Sequence, residues 1–231
     1  MDATPLPRAL GASLRAALAD TPVVCLLGPR QCGKTTLARA LAPRYGYVSF
    51  DDADALAQAQ SDPNGFLAAL PDRVILDEIQ RVPELLRALK LSVDRDRRPG
   101  RFLLTGSANL LLLPKLGDSL AGRMAILELQ PLTAAEQARK PGGFLAAWLG
   151  GKLKPAFAVS PQPSDPLTLA ARVVAGGFPA PLTRSPVRAR NWHRDYVRAL
   201  LERDVHDVAR IKDPRDLSRL LSLLALRTGE L

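Results

Sequence analysis

Short apolar runs that end in polar residues recur along the chain between residues 23 and 129. Apolar residues at helical spacing separate these runs, and the clearest such period extends from Leu85 to Val93. A strand that is apolar throughout, without alternation, is typical of a sheet covered on both faces. The pattern therefore predicts an α/β fold in which helices cover a mainly parallel sheet. The predicted strands are Val23–Leu27, Tyr47–Phe50, Val74–Leu76, Phe102–Leu104 and Met124–Leu129.

The regular pattern stops between Lys140 and Pro166, a stretch that contains nine Pro and Gly residues. Residues that break helices and strands at this density predict a linker or an irregular insertion. A mostly helical region follows, with a long helix predicted from about Val187 to Ala209. We therefore predict a core over residues 1–139, a linker or insertion over 140–166 and a helical extension over 167–231.

The composition narrows the class of protein. The chain has 231 residues and is 47% hydrophobic, which excludes a disordered chain. No apolar stretch approaches the roughly 18 to 20 residues of a membrane span. The N-terminus lacks the basic and apolar segments of a secretion signal, so we expect a cytoplasmic protein without a membrane partner. Cys25 and Cys32 give neither metal-ligand spacing nor a disulfide framework.

Positive charge is concentrated in the C-terminal part of the chain. Residues 1–138 hold 16 Lys and Arg against 15 Asp and Glu, whereas residues 139–231 hold 16 against 8. The net charge of +9 therefore divides into +1 and +8. This division suggests an acidic partner for the C-terminal part.

The nine residues Gly28–Thr36 read GPRQCGKTT and directly follow the first predicted strand. The spacing G-x-x-x-x-G-K-T between a strand and a helix is the P-loop pattern, in which backbone N–H groups surround the phosphates of a nucleotide. Lys34 is predicted to reach the outer phosphates and Thr35 to bind Mg²⁺. Cys32 is expected to be a packed, inert thiol in preference to a reactive thiolate. The predicted nucleotide-binding residues are Gly28, Pro29, Arg30, Gln31, Cys32, Gly33, Lys34, Thr35 and Thr36.

The third predicted strand runs into Asp77 and Glu78, an arrangement called Walker B. Asp77 is predicted to hold Mg²⁺, mostly through water, because a hard cation prefers oxygen ligands. Glu78, just outside the sheet, is predicted to polarise the attacking water. The extra strand Tyr47–Phe50 separates the P-loop from Walker B, a layout that favours the ATPase division of P-loop proteins over kinases and GTPases. Asp51 and Asp52, which end that strand, are predicted to form a turn and a helix cap.

Three further side chains are candidates for the reaction. Thr105 and Ser107 end the strand predicted beside Walker B, where a hydroxyl can orient water or contact the γ-phosphate, the role called sensor 1. A plain strand-end turn is the alternative for either residue. Arg123 precedes the last strand and is either an arginine finger, in cis or across a subunit boundary, or one partner of a surface salt bridge. A finger acting in trans requires a homo-oligomer.

The long predicted helix carries Arg190, Arg194 and Arg198 at intervals of four residues, so that one side of it is cationic. Such a face is able to contact the phosphates of a nucleic acid. The alternative, a solvated helix face, is the commoner case for a single stripe of charge. Arg203 is either a second sensor for nucleotide or a member of a local ion-pair network with Glu202 and Asp204.

Several segments, in order, carry a resemblance to a known family. They resemble the prokaryotic AAA-type ATP-binding proteins that have a C-terminal domain of unknown function. The resemblance extends from about Leu26 to the end of the chain, and it implies a nucleoside-triphosphatase core, a small helical extension, and winged-helix-like and nuclease-like regions. The segments are GPRQCGKTTL, LDEIQRVPELL, LLTGSANLLLL with SLAGR, LQPLTAAE, GGFP and WHRDYVRALLERDV.

The family that the chain resembles continues well beyond the position of Leu231, so we expect a fragment or a truncated gene product. A helical stripe of leucines near the end then has no evident cover, which predicts an exposed apolar patch. The stripe consists of Leu217, Leu220, Leu221 and Leu224.

The predicted function is Mg²⁺-dependent hydrolysis of ATP. The site combines the charge of Lys34, the Mg²⁺ ligands Thr35 and Asp77, and Glu78 as the base. One alternative is a nucleotide-dependent switch with slow turnover that acts on DNA or on a protein partner. A second alternative is a small-molecule kinase, which transfers phosphate to an acceptor without depending on Glu78.

Overall fold

The computed structural model describes residues 6–107, 120, 122–139, 144–152, 166–208 and 214–227. The chain divides into two compact units, residues 1–166 with 177–179, and residues 167–176 with 180–231. The first unit contains, in order, α1 (Gly11–Asp20), β1 (Val23–Leu27), α2 (Lys34–Leu41), β2 (Gly46–Ser49), α3 (Ala53–Ser61), α4 (Pro63–Ala69), β3 (Val74–Asp77), a 3-10 turn (Ile79–Arg81), α5 (Leu85–Arg95), β4 (Phe102–Gly106), β5 (Met124–Glu128), α6 (Ala134–Gln137) and α7 (Phe144–Leu149). The helices of the second unit are α8 (Pro166–Ala175), α9 (Pro179–Leu182), α10 (Pro186–Val208) and α11 (Pro214–Leu226).

The five strands form one parallel sheet in the order β2-β3-β4-β1-β5. Leu27 of β1 pairs with Gly106 of β4, and Leu76 of β3 pairs with Leu104 of β4. The register brings the carboxyl ends of these three strands to the same edge of the sheet. The predicted α/β class is therefore confirmed.

The central strands β1, β3 and β4 are buried along their whole length. In β1, Val23, Cys25 and Leu27 belong to a hydrophobic cluster that includes three buried leucines of α5, at positions 85, 86 and 89. Val24 and Leu26 belong to a second cluster, which includes residues of α1 and α2. Because both faces of the strand are covered, none of its positions needs a polar side chain.

Pairing extends the strands beyond the apolar runs that predicted them. β3 reaches Asp77, which pairs with Ser49 of β2, and β4 reaches Thr105 and Gly106, which pair with β1. The predicted end of β2 at Phe50 is too late by one residue, since the described strand ends at Ser49. These extensions carry polar residues to the edge of the sheet where the P-loop lies.

Two helices that the periodicity did not predict, α3 and α4, follow β2. Asp52 caps α3 by accepting hydrogen bonds from the backbone N–H groups of Asp54 and Ala55, which confirms its predicted role. Asp62 caps α4 in the same way, from the N–H of Gly65. Carboxylates at these positions satisfy N–H groups that have no partner within the helix.

The stretch predicted as a linker or insertion contains the short helix α7, while residues 140–143 and 153–165 lie outside the described residues. In the second unit α10 begins at Pro186 and ends at Val208, close to the predicted bounds. On α10 the Trp192 ring stacks on Tyr196 with ring centroids 5.0 Å apart. None of the described helices combines the length and the apolar character needed to cross a membrane.

Candidate functional site

The Gly28–Gly33 loop joins the end of β1 to the start of α2 and depends on two glycines. Gly28 has a φ of 149°, and a Cβ atom at this position would lie 2.2 Å from the carbonyl oxygen of Leu129. Gly33 has a φ of 101° and is the N-cap of α2. Gln31 adopts a left-handed conformation with φ 61°. The chain therefore turns tightly and points the first N–H groups of α2 into the loop, which is the local geometry of a phosphate site.

Lys34 is the first residue of α2, and its side chain turns back into the loop. The residue is 5% exposed. Its ammonium group donates to the carbonyl oxygens of Gly28 at 3.0 Å and Pro29 at 2.9 Å. A buried cation is therefore held inside the curve of the loop, where it adds to the positive potential of the helix N-terminus.

Asp77 is 5% exposed and lies where Thr35 and Thr105 converge. The Thr35 hydroxyl donates to its carboxylate at 2.9 and 3.2 Å, and the Thr105 hydroxyl also donates to it. The structure therefore brings the two predicted Mg²⁺ ligands, Thr35 and Asp77, into direct contact. Among the described residues Asp77 has hydroxyl donors and no ion pair, so its charge is available to a cation. A carboxylate beside a hydroxyl suits Mg²⁺, which prefers oxygen ligands.

Tyr47 of β2 is a third donor to Asp77 that the sequence did not reveal. Its phenol donates to the carboxylate at 2.7 Å, and the Arg39 guanidinium lies 4.2 Å from the centre of its ring. Burial raises the pKa of Tyr47, and the hydrogen bond and the charge of Asp77 raise it further, so the phenol keeps its proton. The pairing of β2 with β3 is the signal that could have found it, since Tyr47 lies two residues before the partner of Asp77.

Glu78 follows β3 in a left-handed conformation with φ 59°. Its backbone N–H donates to the Thr105 hydroxyl at 3.4 Å, and its carboxylate accepts a hydrogen bond from the side chain of Gln80. A residue other than glycine in this region stores about 1 to 3 kcal/mol of strain, which is common at functional sites. Gln80 was not predicted, although it lies only two residues away in sequence.

Of the two predicted hydroxyl residues, Thr105 lies on β4 and contacts Asp77. Ser107 is half-buried one residue beyond the strand end. Arg123 forms an ion pair with Asp94, with Nε 2.6 Å from Oδ1, which is the salt-bridge alternative that the sequence left open. The hydrogen bond from Arg123 lowers the pKa of Asp94. An arginine-finger role for Arg123 stays a prediction.

Cys32 is buried within the loop, with its Sγ 3.4 Å from the carbonyl oxygen of Leu129. Burial raises the pKa of its thiol, and the lowering effect of Lys34 and Arg8 does not cancel that rise. This environment favours the packed, inert thiol that was expected.

Arg8 and Glu136 lie behind the loop and were not predicted. The Arg8 guanidinium donates to the carbonyl oxygen of Cys32 at 2.8 Å, and its Nε lies 3.3 Å from the Glu136 carboxylate. Burial alone would raise the pKa of Glu136, but the N–H groups of Thr133 and Ala9 together with Arg8 hold it below its usual range. The sequence signal was the capping box that Thr133 and Glu136 form at the start of α6.

The arginines of the predicted cationic face are exposed on α10 at positions 190, 194 and 198. Arg194 lies 3.7 Å from the carboxylate of its neighbour Asp195. The side chain of Arg203 lies outside the described residues. Leu220, Leu221 and Leu224 of the predicted leucine stripe on α11 are 43 to 55% exposed.

Comparison with known proteins assigns both parts of the chain. Residues 20–138 match the family model of an AAA domain, and residues 167–231 match that of a domain of unknown function (DUF8612). Uncharacterized proteins of Mycobacterium tuberculosis (Rv2008c) and Mycobacterium bovis (Mb2031c) are each 33% identical to the chain over 225 residues. That match covers 97% of this chain and 45% of each relative, so the chain spans less than half the length of these relatives.

Solved structures of P-loop ATPases are also similar. A variant of RuvB from Thermotoga maritima is 26% identical, with 63% of this chain and 52% of that chain covered and a TM-score of 0.37. The Walker-type ATPase PABY2304 of Pyrococcus abyssi is 16% identical, with 94% and 79% covered and a TM-score of 0.46. The match over residues 20–138, which is more than half of the chain, together with the parallel sheet and the P-loop, shows that the chain belongs to the AAA domain family.

Proposed function

We propose that the protein binds ATP together with Mg²⁺ and hydrolyses it to ADP and phosphate. The observation that carries the proposal is the contact between the Thr35 hydroxyl and the Asp77 carboxylate. It joins the end of the P-loop to the end of β3 and forms an oxygen-rich site for a cation beside a site for phosphate. A buried carboxylate with no ion pair among the described residues supports a cationic ligand, because an isolated buried charge is costly.

Each side chain of the site has a distinct role in this proposal. Lys34 and the N–H groups of the loop bind the phosphates, and Thr35 and Asp77 hold Mg²⁺. The cation, when bound, neutralises charge on the phosphate oxygens. Thr105 and Tyr47 keep the Asp77 carboxylate in place by donating to its oxygens. Positioning and electrostatics therefore supply most of the rate.

Glu78 acts as the base in the proposed reaction. As the water oxygen forms a bond to the γ-phosphorus, the bond from that phosphorus to the bridging oxygen breaks, and Glu78 takes the proton of the water. Gln80 holds the carboxylate of Glu78. The left-handed backbone at Glu78 supports this role, because strained residues persist where function needs them.

The test is phosphate release by the purified protein, measured with and without DNA, for the wild type and Glu78→Gln. We expect Glu78→Gln to lower the rate about 100-fold or more while ADP still binds. Glu84→Gln, an exposed change just before α5, is the matched control and should leave the rate unchanged. Equal rates for the wild type and Glu78→Gln would overturn the assignment of the base. A slow wild-type rate that DNA stimulates would favour the switch, and transfer of phosphate to an added acceptor would favour the kinase.

We also propose a nucleic-acid partner. Three arginines, Arg190, Arg194 and Arg198, are exposed on α10, in the part of the chain that has a net charge of +8. Phosphate contacts release counterions, so binding should weaken steeply with salt. Replacing all three arginines with glutamine should reduce the slope of log K against log salt by about 3. An unchanged slope would overturn this partner.

A subunit partner is the last part of the proposal, since an arginine finger acting in trans requires subunits to meet. The molecular mass in solution, measured with and without ATP and Mg²⁺, tests it. A mass that stays monomeric under both conditions would exclude a finger in trans.

A further inference from the structure

Arg8 and Glu136 form a buried ion pair behind the P-loop. Their side chains are 8% and 9% exposed, and the side-chain nitrogen and oxygen atoms of both form hydrogen bonds. Arg8 donates to the carbonyl oxygens of Cys32 and Gln130 as well as to Glu136. Glu136 accepts from the backbone N–H of Ala9 at 2.7 Å and from that of Thr133 at 2.8 Å. The pair therefore joins the residues before α1, the P-loop and the start of α6.

The bond from Arg8 to the Cys32 carbonyl fixes the orientation of one peptide group of the loop. In a trans peptide the C=O and N–H point in opposite directions. Since the carbonyl of the Cys32–Gly33 peptide points at the guanidinium, its N–H, which belongs to Gly33, points away from Arg8. A charged donor on the carbonyl also polarises the peptide and strengthens that N–H as a donor.

The orientation of the Gly33 N–H needs the bond from Arg8, because the backbone of glycine does not fix it. The Gly33 φ of 101° is open to glycine, which moves freely between left- and right-handed conformations. The site of a Cβ at Gly33 lies 3.5 Å from Nη1 of Arg8, so glycine also leaves room for the guanidinium.

The segment that follows β5 supports the pair from the other side. The carbonyl oxygen of Leu129 lies against Gly28 and Cys32. Three residues later, the N–H of Leu132 donates to the carbonyl oxygen of Gly177 at 2.7 Å. A Cβ atom at Gly177 would lie 2.4 Å from the Leu132 carbonyl oxygen, so only glycine allows this close approach. Gly177 therefore belongs to the first unit, where it anchors the segment that holds Arg8.

We propose that Arg8 is a positioning residue for phosphate binding, held by Glu136, and that it acts by aiming the Gly33 N–H at a nucleotide phosphate. This inference rests on the proposed binding of nucleotide. A purely structural role explains the arrangement less well, because a buried ion pair adds little stability compared with apolar residues of similar size. What an apolar pair could not supply is a charged donor to the loop carbonyl.

The test compares Arg8→Met with Arg101→Met. Arg101 is the matched control because it is also largely buried, donates to two backbone carbonyls, those of Ser92 and Asp96, and lies 3.4 Å from a carboxylate, but does not contact the loop. The affinity for ADP with Mg²⁺ is measured by calorimetric titration, and the melting temperature is measured alongside. We expect both variants to melt earlier, and Arg8→Met alone to bind ADP about tenfold more weakly.

The kinetic constants separate positioning from a general loss of structure. If the Gly33 N–H holds phosphate equally in the ground state and the transition state, Arg8→Met should raise KM for ATP and change kcat little. Arg8→Lys keeps the charge, but its single nitrogen cannot reach all three acceptors that the three nitrogens of the guanidinium contact, so it should lie between the wild type and Arg8→Met. Together with Glu136→Gln, it decides the question if Arg8→Met does not fold.

The outcomes are distinct. Equal ADP affinities for the wild type and the folded Arg8 and Glu136 variants would overturn the positioning role while leaving nucleotide binding intact. A wild-type protein that binds neither ADP nor ATP would overturn the proposed function and this inference with it.

Discussion

Leu86 of α5 is fully buried between helix and sheet, whereas Leu221 and Leu224 of α11 are 43% and 55% exposed. The charge also differs along the chain, since residues 1–138 are nearly neutral and residues 139–231, which comprise the end of the first unit and the second unit, carry +8. The first unit therefore has a core of its own around the P-loop. The second unit displays leucines and arginines on its helices. The contribution of a leucine to stability therefore depends on whether its position is buried, and not on its presence in a helical stripe.

Truncation of one buried and one exposed leucine tests the difference between the two units and should have the greatest effect. Leu86→Ala should lower the free energy of unfolding by about 2 to 5 kcal/mol, because it leaves a cavity between α5 and the sheet. Leu221→Ala should change it by less than about 0.5 kcal/mol. Urea unfolding of both variants measures the contrast. A cost of several kcal/mol at Leu221 would show that α11 is covered in solution.

The next effect concerns the glycines of the first unit. Gly28→Ala should cost about 2 to 4 kcal/mol, because its Cβ would overlap the backbone carbonyl of Leu129. Gly122 also has a positive φ, of 71°, but a Cβ there would meet nothing within 4 Å. Gly122→Ala should therefore cost only the strain of the left-handed conformation, about 1 kcal/mol. Similar costs in urea unfolding would mean that the loop is not held against Leu129.

A smaller effect tests the contact from β2 to the Asp77 carboxylate, the proposed Mg²⁺ ligand. Tyr47→Phe removes one donor to Asp77 and keeps the ring beside Arg39. We expect the Mg²⁺ concentration for half-maximal phosphate release to rise about threefold to tenfold, which corresponds to the net contribution of a typical hydrogen bond, about 0.5 to 1.5 kcal/mol. Tyr45, whose ring centre lies 5.9 Å from the Arg73 guanidinium, is the matched control, and Tyr45→Phe should leave the Mg²⁺ requirement unchanged. An effect of equal size in both variants would contradict the role of Tyr47.

The smallest effect concerns pH. The folded state lowers the pKa of Glu136 below its ordinary value near 4.5, so the stability that its carboxylate contributes is complete above that value. It is lost as the pH falls through the lowered pKa of the folded protein. The difference in unfolding midpoint between the wild type and Glu136→Gln should therefore shrink as the pH falls below the ordinary pKa of a glutamate. A difference that grows on acidification would contradict the lowered pKa.

Sequence patterns predicted the parts of this molecule that are determined locally or by sheet pairing. The five strands follow from apolar runs, and the meeting of Thr35, Asp77 and Thr105 follows from parallel strands that end at one edge. The capping box of α6 has a sequence signature, but that signature does not indicate that Glu136 also pairs with Arg8. Arg8 and Glu136 are 128 residues apart, and no local pattern indicates that they meet. Tyr47 was assigned correctly to a strand, yet its contact with Asp77 depends on the position of its phenol oxygen, which the strand pattern does not give.

The pair of Arg8 with Glu136 also has a consequence for synthesis of the protein. A growing chain releases Arg8 and the glycine loop early, and Glu136 and Gly177 only much later. Contacts between residues so far apart in sequence form slowly, because a large loop must close before the contacts stabilise the chain. A nascent chain that ends before residue 136 therefore has the glycine loop without the Arg8–Glu136 pair, and it should reach the full affinity for the proposed nucleotide only after the last of these residues has left the ribosome.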